Sequence, residues 1–238
     1  MTTFVLVHGA WHGGWCWKRV AQILRKNGAE VFTPTLTGLG ERSHLISADI
    51  GLETHIQDIA GVLEYEDLQD VILVAHSYGA MVISGVAETQ TSRIKQLVYI
   101  DSFVPSDGQW MAQFFPSPAV ADYKEKTLRE GKGYGIPSPP PEMLGVTNQD
   151  DLDWVRPRLG LQPSKSFYDP IHLSNPAAVK IPHTYIYCKH LQSMVTQAAN
   201  QIQADPNWHY LELEAGHDAM IVEPEKLATL LQNIAAKS

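Results

Sequence analysis

The chain has 238 residues, 44% hydrophobic and 18% charged, with a formal net charge of -8 at neutral pH. That length suffices for one large α/β domain, or one domain carrying an insertion, and the composition is ordinary for a soluble globular protein. The negative balance argues against nucleic acid and anionic membrane surfaces, since both require a basic patch.

The chain opens with "TFVLVHGAWHGGWCW". Residues 3 to 7 are uninterrupted and β-rich, as in a buried strand of a parallel sheet covered on both faces. They carry only four consecutive apolar residues and no basic flank, which predicts no signal sequence. No run approaches the ~18 apolar residues of a membrane span. "WKRVAQILRKNG" has apolar residues at 17, 20, 21, 23 and 24, a helical stripe that Gly28 closes. "AEVFTPTL" reads as the next strand, "TGLGERS" as a glycine-rich loop and "GLETHIQDIAGVLEYE" as an amphipathic helix. "DVILVAHS" is another buried strand, "YGAMVISGVAETQ" a helix and "IKQLVYIDS" a strand. Strand and helix alternate with short connections up to Ser102, which predicts a doubly wound, mostly parallel sheet with flanking helices.

The pattern then changes. Residues 103–180 hold 11 of the 15 prolines and no clear buried strand. So long a structureless loop does not occur in a compact domain, so this stretch is expected to be an inserted, mainly helical cap on a single domain spanning 1–238. "PHTYIYCKH" resumes the sheet, a helical stretch follows, and "WHYLELEAGHDAM" supplies the last strand. "EPEKLATLLQNIAA" is the closing helix. The two cysteines, Cys16 and Cys188, have neither disulfide nor metal-ligand spacing and read as buried free thiols, which fits a reducing cytoplasm.

The chemistry concentrates in "VILVAHSYGAMVISGVAE". Ser77 stands where an apolar strand ends and a small-residue helix begins. The sequence A-H-S-Y-G is a near match to G-x-S-x-G, in which a serine nucleophile sits on a strained strand-to-helix turn flanked by small residues. A plain helix-capping serine is the alternative. Serine needs a base, and His217, after the last strand, has the placement for it. The oxyanion needs preorganised donors: the N–H of Tyr78, after the nucleophile, and the N–H of Ala10 in "HGAW", with Trp11 as the neighbouring alternative. Trp11, Trp15, Tyr78, Phe103, Trp110, Phe114 and Phe115 are candidates to line an apolar pocket under the cap, with core packing as the competing role. Trp11, Phe103 and Trp110 lead among them as substrate contacts.

"FVLVHGAWHGGWCW", "PTLTGLGERSH", "GLETHIQDI", "VAHSYGAMV", "LVYIDSFVP" and "AGHDAM" together resemble an α/β-hydrolase. More narrowly, they resemble bacterial carboxylesterases related to plant methylesterases and hydroxynitrile lyases. The resemblance covers the first 105 residues and the last 60 or so. It implies a serine esterase acting through an acyl-enzyme, with no metal and no cofactor. The candidate aromatics suit a small apolar or aromatic ester, the charge and the absence of a long apolar run leave no nucleic-acid or membrane partner expected, and a homodimer stays open. Such proteins usually carry the acid of the triad just after the strand matching "HTYIYC". Here Lys189, His190, Leu191 and Gln192 occupy that stretch. Asp101, at the end of "KQLVYID", is the candidate in its place, with Asp205, Glu212, Glu214 and an acid-free Ser–His pair as alternatives. In the lyases of this group a lysine follows the histidine and helps hold cyanide; Asp218 stands there in this chain, which disfavours a lyase. A slow or non-catalytic small-molecule-binding protein of the same fold is the remaining alternative.

Overall fold

A computed structural model describes residues 1–190 and 195–237. Its centre is a six-stranded sheet built from β1 (Thr3–Val7), β2 (Glu30–Phe32), β3 (Val71–His76), β4 (Ile94–Ile100), β7 (His183–Cys188) and β8 (Trp208–Leu213). The spatial order is β2-β1-β3-β4-β7-β8, and every pairing is parallel. Helices α1 (Lys18–Lys26), α2 (Leu52–Tyr65), α3 (Gly79–Gln90), α7 (Thr196–Gln203), α8 (Ala219–Val222) and α9 (Pro224–Lys237) supply the flanking layers.

Alternation along the strands divides the core in two, because successive side chains point to opposite faces. Val5, Val7, Leu73, Ala75, Leu97 and Tyr99 pack with Ile59 and Leu63 of α2 and Val82 and Val86 of α3. Phe4, Leu6, Ile72, Val74, Val98 and Ile100 pack with Val20 and Leu24 of α1 and Leu227 and Leu231 of α9. Each fully buried aliphatic side chain of this kind stabilises the fold by roughly 1.5–3 kcal/mol. Helix α1 ends at the left-handed Gly28, φ +86°, as its closing glycine predicts.

Three expectations need adjustment. The second strand is only three residues long, because Pro34 breaks "EVFTPTL". The stretch "GERSHL" is not open loop but a 3-10 turn, Gly40–Leu45. The segment between β4 and β7 contains helices α4 (Ser117–Arg129), α5 (Gln149–Val155) and α6 (Lys165–Tyr168), and also a small antiparallel ribbon of β5 (Gly135–Ile136) and β6 (Gln162–Pro163). Two-residue strands leave no hydrophobic periodicity to read, so the ribbon is invisible in the sequence.

The close packing of α3 under β1 depends on Gly79. A Cβ there would lie 2.9 Å from the carbonyl oxygen of His8 and 3.0 Å from that of Val7, both backbone atoms at the end of a central strand. We expect Gly79→Ala to destabilise the protein by about 1–3 kcal/mol through overpacking. Urea unfolding measures this, and an unchanged midpoint would mean that the end of β1 yields.

Candidate active site

The strand register brings the site together. His76 pairs with Ile100 at the ends of β3 and β4, so the residues that follow, Ser77 and Asp101, leave the sheet side by side on its C-terminal rim. Each continues the ladder by one bond: Ser77 N–H donates to the Ile100 carbonyl at 3.1 Å, and Asp101 N–H donates to the Ile186 carbonyl at 2.8 Å. Both have left-handed backbones, φ +51° at Ser77 and +42° at Asp101. That conformation is rare outside glycine and persists only where surrounding contacts hold it. Around Ser77 the room is tight: a Cβ on Gly9 would lie 2.7 Å from His76 Nδ1 and 3.0 Å from Ser77 Cβ. The small residues around the turn are therefore steric requirements.

The loop after β8 carries His217 to the same rim. Its Nδ1 lies 2.6 Å from Asp101 Oδ2, and Asp101 Oδ1 accepts the N–H of Cys188 at 3.2 Å. An ionised carboxylate only accepts, so His217 Nδ1 carries the hydrogen and Nε2 is left to exchange a proton. Burial works against the imidazolium, but the hydrogen bond and charge of Asp101, with the charge of Asp218, outweigh it and raise the His217 pKa above the ordinary histidine value. The competing carboxylates stand elsewhere. Asp205 precedes β8, toward the opposite end of the sheet, and accepts from Asn207. Glu212 and Glu214 are exposed and pair with Lys189 at 3.1 and 2.8 Å. Lys189 and His190 (which pairs with Glu214) turn toward solvent; Leu191 and Gln192 lie outside the described residues.

The two amides assigned to the oxyanion are available. Among the described residues neither Ala10 N–H nor Tyr78 N–H has a protein acceptor. The neighbouring Trp11 N–H, by contrast, donates to Gln162 Oε1 at 3.1 Å. Trp11 is itself left-handed, φ +67°, and the segment between β4 and β7 grips it further: its indole N–H donates to the Ile136 carbonyl and its carbonyl accepts from Gly160 N–H.

A cavity of about 130 Å³ joins Ser77 and His217, and Trp11, Phe103 and Phe115 line it as anticipated. Four of the other aromatics do not. Trp110 opens the 3-10 turn Met111–Phe114 in extended conformation and is 39% exposed, so Met111 takes the inward position instead. The Tyr78 ring lies in the core with its hydroxyl on His55 Nδ1. Trp15 stacks on His12, and Phe114 on Phe103. Tyr123, Pro139, Met143, Leu144 and Val195 complete the wall. They come from separate elements, and no local pattern in the sequence singles them out. Asp218 also departs from expectation: it is fully buried against His12 and does not line the cavity, so its charge does not sit where a cyanide ion would bind.

His76, His217 and Asp218 offer ligand atoms within 4.8 Å of one another. Of their ring and carboxylate atoms, His217 Nδ1 is on Asp101 and His76 Nε2 donates to the His217 carbonyl at 2.9 Å, while His76 Nδ1 and Asp218 Oδ1 have no hydrogen-bond partner.

A family model for the alpha/beta hydrolases matches residues 4–230. A carbendazim-hydrolysing esterase from Nocardioides sp. (strain SG-4G) is 38% identical over 238 residues, covering 97% of this chain and 98% of the relative. Methylesterase 7 of Arabidopsis thaliana is 26% identical over 252 residues, 98% of this chain and 96% of that one. Among solved structures, an extracellular alpha/beta-hydrolase from a Paenibacillus species superposes with a TM-score of 0.85 at 26% identity, over 98% of each chain.

Three further histidines surround the site as neutral, buried groups. His8 donates from Nδ1 to the Gly9 carbonyl and accepts the Leu36 N–H on Nε2; burial pushes its pKa down to about 3. His55 donates to the Thr37 carbonyl and accepts from the Tyr78 hydroxyl, and burial lowers it to about 4. Burial, then the charge of His217, hold His76 well below its ordinary value. Below pH ~6.5 the unfolded chain binds protons at these positions that the folded chain refuses. Stability should therefore fall as pH drops from 6.5 toward 4, by about 1–2 kcal/mol per pH unit for each histidine. Urea midpoints at pH 7, 6 and 5 check this, and a flat profile would contradict the neutral burial.

Proposed function

The chain belongs to the alpha/beta hydrolase family and is an ester hydrolase; we propose that it acts by acyl transfer, with Ser77 as nucleophile, His217 as base and Asp101 as the acid behind it. Ser77 Oγ attacks the ester carbonyl as His217 Nε2 takes its proton. The N–H groups of Ala10 and Tyr78 hold the oxyanion that forms, where one such donor is worth about 10²–10³ in rate. His217 then returns the proton to the leaving alcohol, and the acyl group stays on Ser77. Water, activated by the same imidazole, attacks the acyl-enzyme, and the acid leaves with Ser77 restored.

The observation that carries this reading is the short Asp101–His217 contact behind a cavity that Ser77 and His217 share. Asp101 orients the imidazole, keeps the hydrogen on Nδ1 and stabilises the imidazolium formed during attack. The remaining walls argue for the substrate. Trp11, Phe103, Met111, Phe115 and Leu144 offer apolar surface, and a volume near that of the roughly 150 Å³ site that holds a benzene ring suits an ester with one small aromatic or branched group. Residues 103–180 serve as the cap of a single hydrolase domain. No helix among the described residues is long and apolar enough to cross a membrane, and two buried free thiols favour a cytoplasmic setting.

Ser77→Ala should abolish hydrolysis of p-nitrophenyl acetate; turnover at the wild-type rate would end the assignment. Asp101→Asn should lower kcat by about 10⁴ with KM little changed, the loss a buried triad acid carries where it has been measured. A loss below tenfold would return the role to another carboxylate.

A further inference from the structure

Behind His217, away from the substrate cavity, lies a second carboxylate–histidine pair. Asp218 and His12 are both buried, with Asp218 Oδ2 3.1 Å from His12 Nε2. His12 Nδ1 lies 2.7 Å from the carbonyl oxygen of Ala10. Asp218 Oδ1 has no hydrogen-bond partner and stands 3.9 Å from His76 Nε2. Hydrogen bookkeeping assigns the charges. The Ala10 carbonyl can only accept, so His12 Nδ1 must donate; a carboxylate can only accept, so Nε2 must donate as well. Burial opposes the Asp218 charge, but the charge and hydrogen bond of His12 outweigh it and hold the carboxyl below the ordinary aspartate value.

We infer that His12 and Asp218 form a buried ion pair that positions both halves of the site, tying the oxyanion loop to the loop of His217 and adding a second negative charge behind the imidazole. This rests on the acyl-transfer assignment above. One end of the pair grips the peptide whose neighbour, Ala10 N–H, is aimed at the oxyanion; the other end is the residue directly after the base. The charge inventory fits the reaction. Asp101, Asp218 and His12 leave one net negative charge in the interior, and protonation of His217 cancels it, so the imidazolium of the attack step meets a complementary field. The other titratable groups facing this region are neutral: burial raises Cys16, Cys188 and Tyr185, and lowers His76. A polar pair that merely filled space would need no second charge, and breaking it would leave a buried ion unpaired.

Asp218→Asn tests the positioning role. The acid limb of kcat/KM should move down by about one pH unit, and kcat should fall about tenfold with KM within about twofold. A folded variant with an unmoved limb and wild-type kcat would overturn the inference. The double variant His12→Gln/Asp218→Asn keeps the net charge of the interior and is the version to use if the single variant does not fold. Because Asp218, and not His12, is the charge that acts on His217, its limb should also move down, and an unmoved limb again overturns the idea. Imidazole ¹⁵N NMR of the unaltered protein gives a readout independent of activity. Both His12 nitrogens should carry protons at neutral pH, and a singly protonated His12 would refute the ion pair while leaving Ser77, His217 and Asp101 untouched.

Discussion

The arrangement depends on one constraint of backbone geometry: β3 and β4 stop in register, with His76 opposite Ile100. Hydrogen bonds between parallel strands are evenly spaced, so two neighbouring strands that end at one level put their next residues at one level too. Ser77 and Asp101 are those residues. Both turn sharply out of the sheet with positive φ, and both remain anchored by a final ladder bond. A shift of one residue in that register would carry one of them away from the other and from His217.

Left-handed backbone recurs around the candidate site, as it does elsewhere at Asp67, Asp70 and Lys132. Ser77, Asp101 and Trp11 are all non-glycine residues in the left-handed region, and each is over-determined by its surroundings. Ser77 is held by Ile100 and Ala80, Asp101 by Ile186, Cys188 and His217, and Trp11 by Gln162, Ile136 and Gly160. The bonds to Trp11 come from the segment between β4 and β7, which therefore helps shape the loop bearing Ala10 as well as covering the cavity. The cavity wall and the loop bearing Ala10 are thus coupled through a single tryptophan.

Histidine takes different roles here because its neighbours differ. His8, His55 and His76 are desolvated, each with one ring nitrogen donating to a carbonyl, and they stay neutral. His217 sits beside two carboxylates, and its proton affinity is raised instead. Burial thus keeps three of these imidazoles neutral, and neighbouring charge gives the fourth a higher proton affinity.

Much of this was readable from local pattern. The buried strands at 3–7 and 71–76, the amphipathic α1 and α2, the elbow at Ser77 and the terminal placement of His217 all follow from periodicity, turn chemistry and chain order, which act over a few residues. Asp101 could be nominated from its strand end, but its claim rested on a register between β3, β4 and β7 that no local pattern records. Trp110 looked as plausible a pocket residue as Phe103, and only its position at the start of a 3-10 turn sends it toward solvent. The grip of Gln162 on Trp11 spans 151 residues, and that of Asp218 on His12 spans 206. Such contacts leave no periodic trace. Local sequence determined the elements and nominated Ser77 and His217; tertiary packing alone decided which carboxylate, which cavity walls and which buried His12–Asp218 contact lie around those side chains, because these are matters of distance between segments that the chain holds far apart.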